Sequence, residues 1–129
     1  MHSPVLLLTG ARAATGTPHD IARITDRLWY RYGDKDDGVS VGKYEWSTIG
    51  GRFAGWFGDR DIVPLREMPF VDFASLRAVV GVDGVWHEGP PISRSGVAAR
   101  RWALQVSAWI EAAQASETPG FAVLLDCVH

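Results

Sequence analysis

The sequence predicts an α+β fold of the ferredoxin-like, split βαβ type: strand, helix, insertion, strand, strand, helix, strand, on an antiparallel sheet. Three observations predict it. Two apolar runs, "PVLLLT" at 4–9 and "FAVLLDCV" at 121–128, have the continuous pattern of buried strands. Two stretches with helical spacing, at 17–32 and 96–115, lie between them. An Asp-Gly pair at 83–84 interrupts an apolar segment at 76–89, which is a hairpin signal because both turn residues must accept positive φ. In this order the first and third strands are central and both helices cover one sheet face. The other face is left to the insertion.

Each element has a local reason. After the first strand, "GARAATG" at 10–16 reads as a loop. Thr17 can then cap a helix, Pro18 suits its first position, and Asp20 places a carboxylate in its first turn. Ile21, Ile24, Thr25 and Leu28 give the buried stripe, ending near Tyr32-Gly33. The polar stretch "GDKDDGVSVGK" at 33–43 reads as an exposed loop, and residues 33–70 together form a long irregular insertion. In the hairpin, alternation puts Leu76, Ala78, Val80, Val82, Val85 and His87 on the helix-facing side. Arg77, Val79, Gly81, Trp86 and Glu88 take the other side. After "GPPISRSG", Ala99, Trp102, Val106, Trp109 and Ala113 repeat at helical spacing until "ETPG" stops the second helix.

A chain of 129 residues suits a single domain spanning 1–129. With 47% hydrophobic and 22% charged residues, the composition is globular rather than disordered. A net charge of -2 speaks against a broad basic surface for duplex nucleic acid. Cys127 is the lone cysteine, so no intramolecular disulfide forms. Cys127, His2, His19, His87 and His129 show no zinc-type spacing, so neither a metal nor a cofactor is expected. No run approaches the roughly 20 apolar residues of a membrane span, and the opening run lacks a basic flank. A cytoplasmic protein is expected, as monomer or homodimer.

The densest chemistry lies in "YEWSTIGGRFAGWF" at 44–57. Gly50 and Gly51 can form a tight bend under aromatic packing, or turn backbone N–H groups toward an anion. Arg52 beside them can fork onto a phosphate or carboxylate, or pin a buried carboxylate such as Asp126 or Glu88. Tyr44, Trp46, Phe53, Trp56 and Phe57 can stack a ring or cover the open sheet face as a second small core. The stretch reads as a rigid lid over that face, with Arg52 delivered into the seam. Trp86, Glu88 and Arg77 share one hairpin face, where Glu88 serves as a general base or as an arginine partner. His87 points to the apolar side, and Cys127 near His129 reads as a structural cysteine. The candidate ligand-binding set is therefore Trp46, Gly50, Gly51, Arg52, Trp56, Arg77, Trp86 and Glu88.

Three blocks resemble a family of small bacteriophage and bacterial proteins with no settled activity. "YEWSTIGGRF" resembles its "WDWYxIGGRW" signature, "VVGVDGVWHEG" its "DxxGxWHE" hairpin, and "VLLDCVH" its terminal "VVDCHI". The matching positions are Trp46, Ile49, Gly50, Gly51, Arg52, Trp86, His87, Glu88, Asp126 and Cys127. Phe53, Ser47 and the Cys-Val-His ending depart from the pattern, which puts a chemical role for a penultimate histidine in doubt. The resemblance implies a non-enzymatic accessory protein of phage or mobile-element type, working in a host cytoplasm. Its partner would be a host protein or a small anionic ligand, a nucleotide among the candidates, bound at the seam. The rivals are a small hydrolase or nuclease using Glu88, Asp126 and a histidine, and a ferredoxin-like dimer enclosing an apolar ligand.

Overall fold

The computed structural model describes residues 1–10, 16–34, 42–69, 71–91, 96–116 and 119–129. The expected loops at 10–16 and 33–43, the link before the second helix and the "ETPG" stop fall largely outside these residues. Six strands form one sheet: β1 (His2–Leu8), β2 (Trp46–Ile49), β3 (Ile62–Pro64), β4 (Ala78–Val80), β5 (Trp86–Glu88) and β6 (Phe121–Val128). Two helices, α1 (Pro18–Tyr32) and α2 (Gly96–Gln114), complete an α+β fold. No helix among the described residues is long and apolar enough to cross a membrane.

The sheet is mixed. β6 runs antiparallel to β1 along its whole length, from His2↔Val128 to Leu8↔Ala122. β1 pairs in parallel with β4, and β4 pairs antiparallel with β5. This is not the expected antiparallel, split βαβ sheet: β4 lies directly beside β1, with no strand between them. The chain joins this parallel pair through α1 and then through β2 and β3, which lie on the far side of β6.

The helices also fall on opposite faces, not on one. Val5, Leu7, Ala78, Val80, Val123 and Leu125 pack with Ile21 and Leu28 of α1. Leu6, Leu8, Val79, Ala122 and Leu124 pack with Trp102, Val106 and Ile110 of α2. Both parities of β1 and β6 are therefore buried, and this two-sided burial is why those strands carry unbroken apolar runs. The helix caps are as expected: the Thr17 hydroxyl accepts from the Asp20 N–H at 3.3 Å, with Pro18 opening the helix.

The insertion is more regular than its sequence suggests. β2 and β3 both pair with the free edge of β6, β2 along 125–128 and β3 along 121–123. They act as one edge strand interrupted by residues 50–61. The Gly50 N–H donates to the Leu124 carbonyl at 2.8 Å, and the Leu124 N–H donates to the Asp61 carbonyl at 3.0 Å. One residue of β6 thus closes both ends of the excursion. Phe53, Trp56 and Phe57 of that excursion pack on the α2 side, so the aromatic stretch shares a face with α2 instead of covering an open one.

The hairpin register differs by one residue from the Asp-Gly expectation. The Gly81 N–H bonds the Val85 carbonyl at 3.1 Å, and the Gly84 N–H bonds the Gly81 carbonyl at 2.9 Å, with Gly84 at φ +78°. This is a three-residue loop with glycine at its left-handed position, not a two-residue turn. Val80 therefore pairs with Trp86, and Val79 with His87. Trp86 and Glu88 join the face of Ala78 and Val80, whereas His87 turns to Trp109 of α2, with ring centroids 4.4 Å apart. Val82, expected in the core, sits in the loop and is 57% exposed.

Candidate functional site

β6 carries one charged residue among eight, Asp126, and buries it to 2% exposure. A carboxylate so placed needs hydrogen bonds to offset lost hydration. His2 Nδ1 lies 2.8 Å from Oδ1 and 2.9 Å from Oδ2. The Arg52 backbone N–H donates to Oδ2 at 2.9 Å. The sheet register explains the meeting: His2 pairs with Val128 and Pro4 with Asp126, so His2 and Asp126 share a face one diagonal apart. Thr48 and Trp46 lie on that same face of β2, through the pairs Thr48↔Asp126 and Trp46↔Val128.

The double glycine serves the backbone. Gly51, at φ +55°, faces Asp126 so closely that a Cβ would lie 2.5 Å from its Oδ2. The N–H groups of Gly50, Arg52, Phe53 and Ala54 are all spent on protein acceptors. The turn is therefore a bend clamped onto a carboxylate, not an open cradle for an anion. Beside it, Asp61 Oδ1 is buried without a hydrogen-bond partner among the described residues.

Above this buried clamp lies an accessible rim. The His2 side chain is 25% exposed, and its Nε2 makes no hydrogen bond to a described residue. Trp46 is 51% exposed and meets the His2 ring edge-on, at 6.4 Å between centroids and 86° between planes. Arg52 is exposed, and its guanidinium has no hydrogen bond or ion pair among the described residues. Of the two sequence readings of Arg52, pinning a carboxylate falls to its backbone N–H. The side chain stays at the surface.

Arg77, Trp86 and Glu88 lie elsewhere, in a second cluster. Arg77 Nε donates to Glu88 Oε1 at 3.2 Å, and Trp86 Nε1 to Glu88 Oε2 at 2.7 Å. Arg77 Nη1 lies 2.7 Å from His129 Nδ1, and His129 Nε2 lies 3.4 Å from the Ser3 hydroxyl. Burial, followed by the Arg77 guanidinium and the N-terminal ammonium, pushes the His129 pKa below its ordinary 6.5. Trp86 stacks on Tyr44 at 5.7 Å and 14°. The Tyr44 hydroxyl is buried outside bonding geometry, although Ser47 lies near enough to ease its ionisation. Burial dominates and drives its pKa up. Burial also pushes the Cys127 thiol up to about 12, so Cys127 is an unreactive core residue. No group of three or more metal-ligating side chains converges among the described residues.

The eight sequence candidates thus divide. Gly51 and the Arg52 backbone meet Asp126, Gly50 lies against Asp61, and Trp46 meets the His2 ring. Arg77, Trp86 and Glu88 form the second cluster. Trp56 packs against Phe53 at the core's margin. His2 was missed, because its partner is 124 residues away in sequence. The available signal was the single carboxylate inside an otherwise apolar strand. Two hollows, of about 480 and 610 Å³, open where β1 and β4 end, between Thr9-Gly10 and Gly81-Asp83. None of the eight candidates lines either hollow.

A mixed six-stranded α+β sheet with a surface histidine anchored on a buried carboxylate is the class that fold and site define. No family model, curated protein or solved structure matches this chain.

Proposed function

We propose that the chain binds a small anionic ligand, a nucleotide in the first instance, at the seam between the 50–53 turn and the sheet. One observation carries this reading. Arg52 is anchored by its backbone N–H on Asp126, yet its exposed guanidinium has no partner among the described residues. Such an anchored cation is a suitable phosphate contact. Trp46 supplies a half-exposed aromatic face for a base. The motif resemblance supports an accessory protein of phage or mobile-element type, with the ligand met in a host cytoplasm.

Neither rival gains as first composed. Glu88 sits with Arg77 in the other cluster, so Glu88, Asp126 and a histidine do not converge. The dimer enclosing an apolar ligand needs an open sheet face, and both faces are covered.

The test is calorimetric titration with AMP, adenosine and inorganic phosphate. AMP should bind and adenosine should not. Arg52→Ala should lose about 10- to 100-fold in AMP affinity, the worth of a charged hydrogen bond. Its melting should stay near wild type, because the backbone N–H on Asp126 remains. Wild-type affinity in Arg52→Ala would sink the reading.

A further inference from the structure

The geometry points to His2 as a general base, and to single-stranded RNA as the substrate of the seam. This inference rests on the anion-binding reading above and departs from the non-enzymatic expectation. Asp126 has its oxygens filled by the His2 Nδ1 and the Arg52 N–H, and it is almost fully buried. A carboxylate at Nδ1 favours the N–H on that nitrogen, which makes Nε2 the lone-pair nitrogen of the neutral ring. The ring is thereby held in one tautomer and one orientation, on a side chain that is 25% exposed. A base with its orienting carboxylate is half of an acid–base site.

The other half restricts the substrate. Among the described residues, no hydroxyl or thiol is bonded to His2 Nε2, so the proton it takes comes from water or from a hydroxyl that the ligand carries. RNA carries one, the 2′-hydroxyl beside each phosphodiester. Arg52 suits the phosphate, and Trp46 can stack a neighbouring unpaired base. The step balances without a co-reactant. The 2′-hydroxyl proton passes to His2 Nε2, the 2′-oxygen–phosphorus bond forms, and the phosphorus–5′-oxygen bond breaks. The departing 5′-oxygen takes a proton from water, and the imidazolium returns one to solvent. The products are a 2′,3′-cyclic phosphate and a 5′-hydroxyl. Asp126 is a positioning residue in this scheme.

The experiment uses a short single-stranded RNA and its all-deoxy counterpart, both in EDTA. The RNA should be cut to a cyclic phosphate end, while the DNA binds and stays intact. His2→Gln keeps a donor for Asp126 and should melt like wild type and bind RNA. Purified identically, it should cut at least about 100-fold more slowly, the usual worth of a general base. Added imidazole should restore part of the rate to His2→Ala. Asp126→Asn should alter the pH dependence of cutting, which a merely structural loss would leave in place. RNA that is bound but uncut by the wild type overturns the catalytic proposal and leaves anion binding standing. RNA that is not bound at all overturns the RNA proposal, while the AMP titration decides the anion-binding reading separately. Cutting by His2→Gln at the wild-type rate assigns the activity to another residue and also overturns the proposal.

Discussion

Gly51→Ala should damage the protein more than its surface position suggests. Gly51 is exposed and at φ +55°, where an alanine costs about 1–2 kcal/mol of backbone strain. Its new Cβ would meet Asp126 at 2.5 Å from Oδ2 and 2.6 Å from Cβ. Asp126 is fixed on a strand paired on both edges, so the turn must lift away. Lifting breaks the Arg52 N–H bond and leaves a buried carboxylate short of a donor, a further loss of about 1–3 kcal/mol. The combined loss is about 2–5 kcal/mol. With an unfolding entropy of about 2.1 cal/mol/K per residue, it lowers Tm by roughly 7–18 °C. Gly58→Ala is the control. It too has positive φ, +85°, but a Cβ there meets nothing within 4 Å. It should show the backbone strain alone, about 4–7 °C. Thermal melts followed by circular dichroism read both, and a cycle with Asp126→Ala should show coupling of at least about 1 kcal/mol. If the two alanine variants melt within about 3 °C of each other, with no coupling to Asp126, the clamp has been misread.

Two further predictions address the hairpin and the C-terminal strand. Val80 is fully buried, so Val80→Asp should abolish cooperative unfolding, whereas Val82→Asp, in the exposed loop, should stay within about 0.5 kcal/mol of wild type. Urea titrations check this pair, and a loss of stability in Val82→Asp as large as in Val80→Asp would restore the two-residue turn, in which Val82 lies in the core. His129 has its pKa lowered in the fold, so its contribution is fully present above the ordinary 6.5 and is lost as pH falls through the depressed folded value. His129→Gln should therefore flatten the fall in stability between pH 7.5 and 5. An unchanged slope would show that the Arg77–His129 contact does not hold the neutral ring.

Local pattern was enough for the order of the elements outside residues 33–70, where the structure adds β2 and β3. The buried strands at 4–9 and 121–128, the Thr17-Pro18 helix start, the α2 stripe of Trp102, Val106 and Trp109, and a bend at Gly50-Gly51 all follow from composition and spacing within a few residues. These are short-range properties, set by side-chain period, capping and accessible φ. Which strand lies beside which follows only from long-range pairing. One residue in the turn after Val80 reverses the faces of Trp86, His87 and Glu88, because a strand's side chains alternate with period two. The placement of β4 directly beside β1, and of α1 and α2 on opposite faces, depends on pairings among distant segments that no local pattern encodes. The unbroken apolar runs were compatible with two-sided burial, yet they carry no label for what covers each side. The site has the same history. Arg52 and its glycines stand out in the sequence, but His2 gains meaning only when β1 and β6 pair from end to end. That register brings a residue at one end of the chain within 2.8 Å of a carboxylate near the other, and only the fold can bring them together.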